Sequence, residues 1–402
     1  MKIVSMANLF RMKLSELVLF IAVLCLSQLN LGNFVHVFGL ILIALYLFIL
    51  KKVTFIDKKI VILFVSFLIV TLISLLYFIL IDNNDISQLS KDSAINNFLF
   101  INIVSLLACL FTVIVRNESC RLQLAFVVKL VLSLHVIFFF VQYFVVHLSG
   151  YYIDFVRLFT SEESRYINYH TSLLLLKYRP TGMFVEPSTY SAAITALTIS
   201  HAFLQNNKPS KSRLIILSMF SMLLSLSSAA IFEFILLYFA FYFNLKSRKG
   251  IYLILISIFS FAVFMFFADG FVDSTVNKID ATKHVREGLL YQIYVARNIE
   301  YILFGYGFYG IEQTLFDLGS NDFEYRIASF NDAGLINYIA LKFGLLGLFL
   351  PVFIMFYFRK SKSKILCISS LLISKLSYIH PVFYLAIIPM FFINKNAYLG
   401  RQ

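Results

Sequence analysis

The sequence predicts an all-α, polytopic transmembrane helical protein of about 12 spans with two longer extracytoplasmic loops. Three observations predict it: 60% of the 402 residues are hydrophobic, only 14% are charged, and the apolar residues fall in long runs separated by short charged connections. A bilayer core of about 30 Å takes roughly 20 apolar residues per helix and offers no water to an irregular backbone, so each run reads as a spanning helix. The runs are residues 14–30, 33–50, 60–81, 97–115, 122–147, 188–205, 213–227, 229–245, 251–268, 334–358, 365–379 and 381–393. The stretch 213–245 divides at Ser227-Ser228, because a single helix of that length would overshoot the membrane.

Charge placement assigns the sides. Basic residues collect in alternate connections, among them Lys51, Lys52, Arg116, Arg121, Lys246, Arg248, Arg359, Lys360 and Lys364, where Asp57 and Glu118 are the only acids. The positive-inside rule puts these connections and both termini in the cytoplasm, so the net charge of +13 is a topology signal and nucleic acid is not an expected partner. The other connections, 82–96, 148–187 and 269–333, carry more acids than bases and lie outside. The first apolar run is followed almost at once by a second and lacks a small-residue cleavage site, so it reads as a span rather than a cleaved signal. Cys25, Cys109 and Cys367 fall in spans and Cys120 in a cytoplasmic connection, which leaves no cysteine for an external disulfide or thiolate metal site. No HExxH, P-loop, GxSxG or paired-carboxylate motif occurs.

The whole chain is one integral membrane domain, and its chemistry concentrates in the loops at 148–187 and 269–333. The first ends in YRPTGMFVEPST, residues 178–189. Pro187 suits the first turn of the next span, which leaves Glu186 at the helix entrance, where the helix dipole favours a carboxylate. Gly182 allows a turn that brings Arg179 back toward Glu186; a helix cap with a surface ion pair is the alternative for these residues. In the second loop, Val285, Leu289, Ile293, Ala296, Ile299 and Leu303 recur at helical spacing, predicting an amphipathic helix on the membrane. Arg286 and Arg297, eleven residues apart, share one face about 16 Å apart and can grip phosphate oxygens; Glu300 is a local partner for Arg297. Tyr306 sits in a Gly-Tyr-Gly turn, Asp332 precedes the span near Gly334, and His380 precedes the last span as a candidate acid or base. Glu233, inside a span, needs to be neutral, paired or facing a polar cavity.

The stretch RPTGMFVEPSTYSAA, with Arg179, Gly182, Glu186, Pro187 and Ser188, resembles the segment before a middle span in Wzy-type O-antigen and capsule repeat-unit polymerases. The resemblance extends to LFGYGFYG at 303–310, SFNDAGLINYIALKFGLLG at 329–347 and, loosely, HPVFYL at 380–385. It implies a membrane glycosyltransferase at the external face of a bacterial cytoplasmic membrane, with an undecaprenyl-diphosphate-linked oligosaccharide as donor, a second such repeat unit as acceptor, and no metal or cofactor. Membrane lipid, a chain-length regulator and a flippase are the partners it implies. Arg179, Arg286 and Arg297 then stabilise the leaving diphosphate, and Glu186 or Asp332 acts on the acceptor hydroxyl, with Glu233, Tyr306 and His380 in support. One departure stands out: where the family often has a basic residue and glycine after the seventh span, this chain reads Ser227-Ser228-Ala229-Ala230. A flippase for the same lipid and an O-antigen ligase are the competing readings.

Overall fold

The computed structural model describes residues 12–29, 33–50, 57–81, 88–158, 162–165, 177–205, 209–242, 290–291, 293–295, 299–309 and 334–393. All regular structure among them is helical. In chain order the helices are α1 (Leu14–Ser27), α2 (Asn33–Ile49), α3 (Lys58–Ile81), α4 (Gln88–Arg116), α5 (Glu118–Ser149), α6 (Pro187–Leu204), α7 (Arg213–Leu224), α8 (Ser228–Phe241), α9 (Ile299–Phe304), α10 (Leu335–Gly347), α11 (Phe349–Tyr357), α12 (Lys362–Ile373) and α13 (Pro381–Phe392). The expected span at 251–268 and most of the expected amphipathic helix lie outside the described residues.

Among the described residues three helices, α3, α4 and α5, are individually long and apolar enough to cross a membrane, and the bent pair α10–α11 is apolar enough to do so when counted as one span. The other described spans of the sequence reading are helices of 12 to 18 residues, so about 12 full crossings is a finer count than these lengths carry. The break expected near Ser227-Ser228 is present, with α7 ending at Leu224 and α8 starting at Ser228.

Two expected spans differ. Residues 334–358 are not one helix: α10 and α11 meet at 90°, and Gly344 adopts φ +63° inside the last turns of α10. The reason is close packing, because a Cβ at Gly344 would stand 2.3 Å from the Leu303 carbonyl and one at Gly305 would stand 2.4 Å from Lys342. The Gly307 N–H donates to the Lys342 carbonyl at 2.7 Å, so the GYG turn is bonded to the broken helix. The second difference is at 365–379, where α12 stops at Ile373. The Ser374 hydroxyl donates to the Leu371 carbonyl and accepts from the Leu376 N–H, and the Ser377 hydroxyl accepts from the Ile379 N–H. These hydroxyls take over backbone groups that a continuing helix would use.

At the centre stands α6, whose residues are nearly all buried and mostly Ala, Ser, Thr and Ile. Small side chains let α5, α7, α8 and α13 approach it closely. Its hydroxyls are bonded laterally: Thr198 to Ser218 of α7 at 2.9 Å and Thr195 to Glu233 of α8 at 2.9 Å. The outer surface is apolar, with Ile62, Leu63, Ile69 and Ile73 of α3 all exposed, as expected of a helix whose solvent is lipid.

Candidate functional site

Glu186 is the N-cap of α6 and Pro187 its first residue, as the Glu-Pro pair predicts. The backbone N–H of Glu186 donates to the Thr189 hydroxyl at 3.3 Å. Its carboxylate is left to face two cations. Oε1 accepts from Arg165 at 2.6 Å, and Oε2 accepts from Lys375 at 3.0 Å and from the Ser188 hydroxyl at 3.2 Å. Arg165 is 74% exposed, whereas Glu186 and Lys375 are 23% and 17% exposed, so the Lys375 pair is the better shielded of the two. Burial pushes the Glu186 carboxyl up, but the charges of Lys375 and Arg165 and the Ser188 hydroxyl outweigh it and hold the group below its ordinary range. Glu186 is thus an ionised counter-ion and a weak base.

Lys375 reaches this carboxylate because α12 stops early. It sits on the seven-residue connector 374–380, which also carries Tyr378 and His380. His380 caps α13, and its Nδ1 accepts from the Ser377 N–H at 2.8 Å, which leaves the proton on Nε2. Burial, with a smaller contribution from neighbouring His36, pushes His380 down to about 4, so the ring is a neutral donor at pH 7.

Arg179 is buried to 4% exposure in the segment that precedes Glu186. Gln142 of α5 fixes that segment: its Oε1 accepts from the N–H groups of both Thr181 and Gly182, at 2.8 and 2.7 Å, and its Nε2 donates to the Ile153 carbonyl at 2.7 Å. Gly182 has φ +60°, the turn that the sequence asks of it. Glu186 forms ion pairs with Arg165 and Lys375. Glu233 is fully buried, with Oε2 bonded to Thr195 and no partner for Oε1 among the described residues. Tyr306 packs its ring 4.7 Å from that of Tyr301 and donates its N–H to the Leu341 carbonyl at 3.4 Å, which makes it part of the bend rather than of the Glu186 cluster. Arg286, Arg297 and Asp332 lie outside the described residues.

The structure therefore brings Glu186, Lys375, Arg165 and His380 to one end of the bundle. Sequence reading missed Gln142, Lys375 and Arg165 as site residues. Gln142 carries a signal, being an amide within an apolar run, while Lys375 falls inside the expected span 365–379. No family model matches the chain, and no curated protein matches it.

Proposed function

We propose that this protein is a membrane glycosyltransferase that polymerises undecaprenyl-diphosphate-linked oligosaccharide repeat units at the external face of the cytoplasmic membrane. The observation that carries the reading is the carboxylate at the start of α6, held between Lys375 and Arg165, in a segment that also contains the buried Arg179. In the reaction, an acceptor sugar hydroxyl attacks the anomeric carbon of the donor, the bond from that carbon to the diphosphate oxygen breaks, and the hydroxyl proton must leave. Negative charge grows on the diphosphate, where fixed cations are most effective. Lys375, Arg165 and Arg179 supply them, with Arg286 and Arg297 as further candidates on the second loop. Glu186, ionised and clamped, orients the cations, and Asp332 is the candidate base. Holding both lipid-linked substrates in attack geometry supplies much of the remaining acceleration.

The test is the glycan of a deletion strain together with purified protein given defined undecaprenyl-diphosphate repeat units without added metal or nucleotide sugar. Single repeat units in the strain and chain growth in the tube are the expected results. Long polymer surviving the deletion defeats the reading.

A flippase for the same lipid is the second reading, favoured by the 90° break between α10 and α11 and by the buried Glu233 carboxyl, both of which transporters employ. Loss of even single capped units in the deletion strain would favour it, or a ligase, over the polymerase.

A further inference from the structure

Glu233 is a carboxylate that neither the Glu186 cluster nor the proposed transfer uses. It stands about a turn and a half from the start of α8 and is fully buried, with α6, α7 and α12 packed against that helix. Thr195 of α6 donates to Oε2 at 2.9 Å, and Oε1 has no hydrogen-bond partner among the described residues. Ser191, four residues before Thr195 and so on the same face of α6, is fully buried as well and approaches the same carboxyl. Its hydroxyl hydrogen goes to the Ser188 carbonyl at 3.0 Å, so lone pairs are what it has left to offer.

A second oxygen without a partner belongs to α12. Ser370 is fully buried about one turn from the outer end of that helix, and its hydroxyl bonds nothing among the described residues. By register, Glu233 and Ser370 come from adjoining helices at one depth, while Ser191 and Thr195 stand about 6 and 12 Å below Pro187 along α6.

Charge decides what such a group of oxygens holds. An ionised carboxylate buried without a counter-charge is strongly disfavoured. The cations of the surrounding helices do not supply one: Arg213, His201, Lys362 and Lys364 belong to the cytoplasmic ends of their helices, and Lys375 is on Glu186. The other buried titratable side chains of these helices, Tyr190 and Cys367, are uncharged types at pH 7. A proton would remove the charge of Glu233 but engage at most one neighbouring oxygen, whereas a cation engages Oε1 and the free lone pairs together. One carboxylate among neutral hydroxyls balances one positive charge. Hard oxygen donors, with no group of three His, Cys, Asp or Glu among the described residues, select an alkali ion over a transition metal.

We propose that Glu233, Thr195, Ser191 and Ser370 form a binding site for an alkali cation, sodium or potassium, which ties α6, α8 and α12 together beneath the Glu186–Lys375 pair. Occupancy fixes the ends of α6 and α12 from which that pair is presented. No step of the proposed transfer passes through the ion, so the site stands or falls apart from the polymerase reading.

The test is protection of Glu233 from dicyclohexylcarbodiimide in the detergent-purified protein, mapped by mass spectrometry. This apolar reagent takes a protonated buried carboxyl: the carboxyl oxygen bonds to the carbodiimide carbon, the proton passes to one nitrogen, and acyl migration to the other leaves a stable N-acylurea. Sodium or potassium chloride should slow labelling about tenfold relative to choline chloride at equal ionic strength, which holds screening constant. The concentration needed should rise about tenfold for each pH unit lowered, because one proton and one cation compete for the carboxylate. Thr195→Val should raise it about tenfold as well. The same alkali salts should raise the thermal midpoint of the wild-type protein over choline chloride and leave that of Glu233→Gln unmoved. Labelling equal in all three salts would make Glu233 a proton-holding carboxyl and overturn the site, as would protection by magnesium alone. If Glu233 resists the reagent in every salt, the wild-type midpoint decides, and no rise there overturns the site whatever the folding of either variant.

Discussion

At the scale of single residues, the Glu186 carboxylate and the His380 ring make distinct predictions. Glu186→Gln leaves the Lys375 ammonium, 17% exposed, without its carboxylate. The cost lies between that of an exposed pair and that of a fully buried one, about 2 kcal/mol, and should appear as a lower thermal midpoint of the detergent-purified protein. The same loss is expected for Lys375→Met, and the double variant should lose little more, because both changes remove one interaction. A double loss equal to the sum of the singles would mean that the two groups are not coupled. Arg165→Gln should cost far less, since its side chain is 74% exposed. His380 titrates in a separate range. Its folded value of about 4 lies below the ordinary 6.5, so on acidification the unfolded chain takes up the proton first. Its contribution is complete above about pH 6.5 and is lost as pH falls toward 4, with a slope approaching ~1.4 kcal/mol per pH unit. Glu186 adds its own loss only below its ordinary value of 4.5, because its folded value is depressed. His380→Gln should therefore make the fall of the midpoint between pH 6.5 and 4.5 shallower by the share of one histidine, the other buried histidines, His36 and His135 among them, keeping theirs; an unchanged slope would remove His380 from the account.

At the scale of elements, the motif stretches that look chemical in the sequence prove largely to be packing devices. LFGYGFYG and KFGLLG meet where α9 runs into the bend of α10, and their glycines permit backbone to touch backbone. Gly344→Ala would place a methyl 2.3 Å from the Leu303 carbonyl at φ +63°, a position where neither chain has a flexible end to yield. Gly307 is the internal control: it has φ +80°, but its nearest neighbour would be the Ser74 hydroxyl at 4.0 Å. Gly344→Ala should destabilise by about 3 kcal/mol or prevent folding, and Gly307→Ala by about 1 kcal/mol, read as protease resistance and thermal midpoint in detergent. Equal effects would show that φ strain alone matters. Helix positions were legible in the sequence because apolar runs and their charged boundaries report burial in lipid directly. Pro187 after Glu186 was legible because proline suits a first helical turn, and the Ser227-Ser228 break because one helix over 213–245 would overshoot the membrane. The turn between α10 and α11 was not, since it is set by glycines that meet α9 across the fold, and the early stop of α12 rests on serine hydroxyls within a stretch that remains apolar. For the same reason Lys375 was placed inside a span, and its meeting with Glu186, 189 residues away in sequence, left no local trace.

At the scale of the whole molecule, the alternation of sides inferred from charge agrees with how the helix ends meet. The ends assigned to the cytoplasm are gathered together: Arg116 at the end of α4 bonds Asp57 before α3 at 2.9 Å and lies over Phe392 at the end of α13. Lys364 at the start of α12 donates to the carbonyls of Met390 and Ile393, closing the C-terminus of α13, and its ammonium lies 4.9 Å from the Phe358 ring after α11. At the opposite end, Glu186 before α6 meets Lys375 after α12, and the Leu335 N–H of α10 donates to the Ser374 carbonyl at 3.2 Å. At the end the charge pattern assigns to the cytoplasm, Asp57 pairs with Arg116 and Glu118 with Arg121. Two exposed positions test which end faces out: Leu158 in the first long loop and Lys360 between α11 and α12. In intact spheroplasts a membrane-impermeant maleimide should label Leu158→Cys at once and Lys360→Cys only after permeabilisation. The native cysteines are buried or half-buried, so the wild-type chain should stay unlabelled in both states. The reverse pattern would put the Glu186–Lys375 cluster in the cytoplasm, where a donor already carried across the membrane could not reach it, and the proposed polymerase would lose its site.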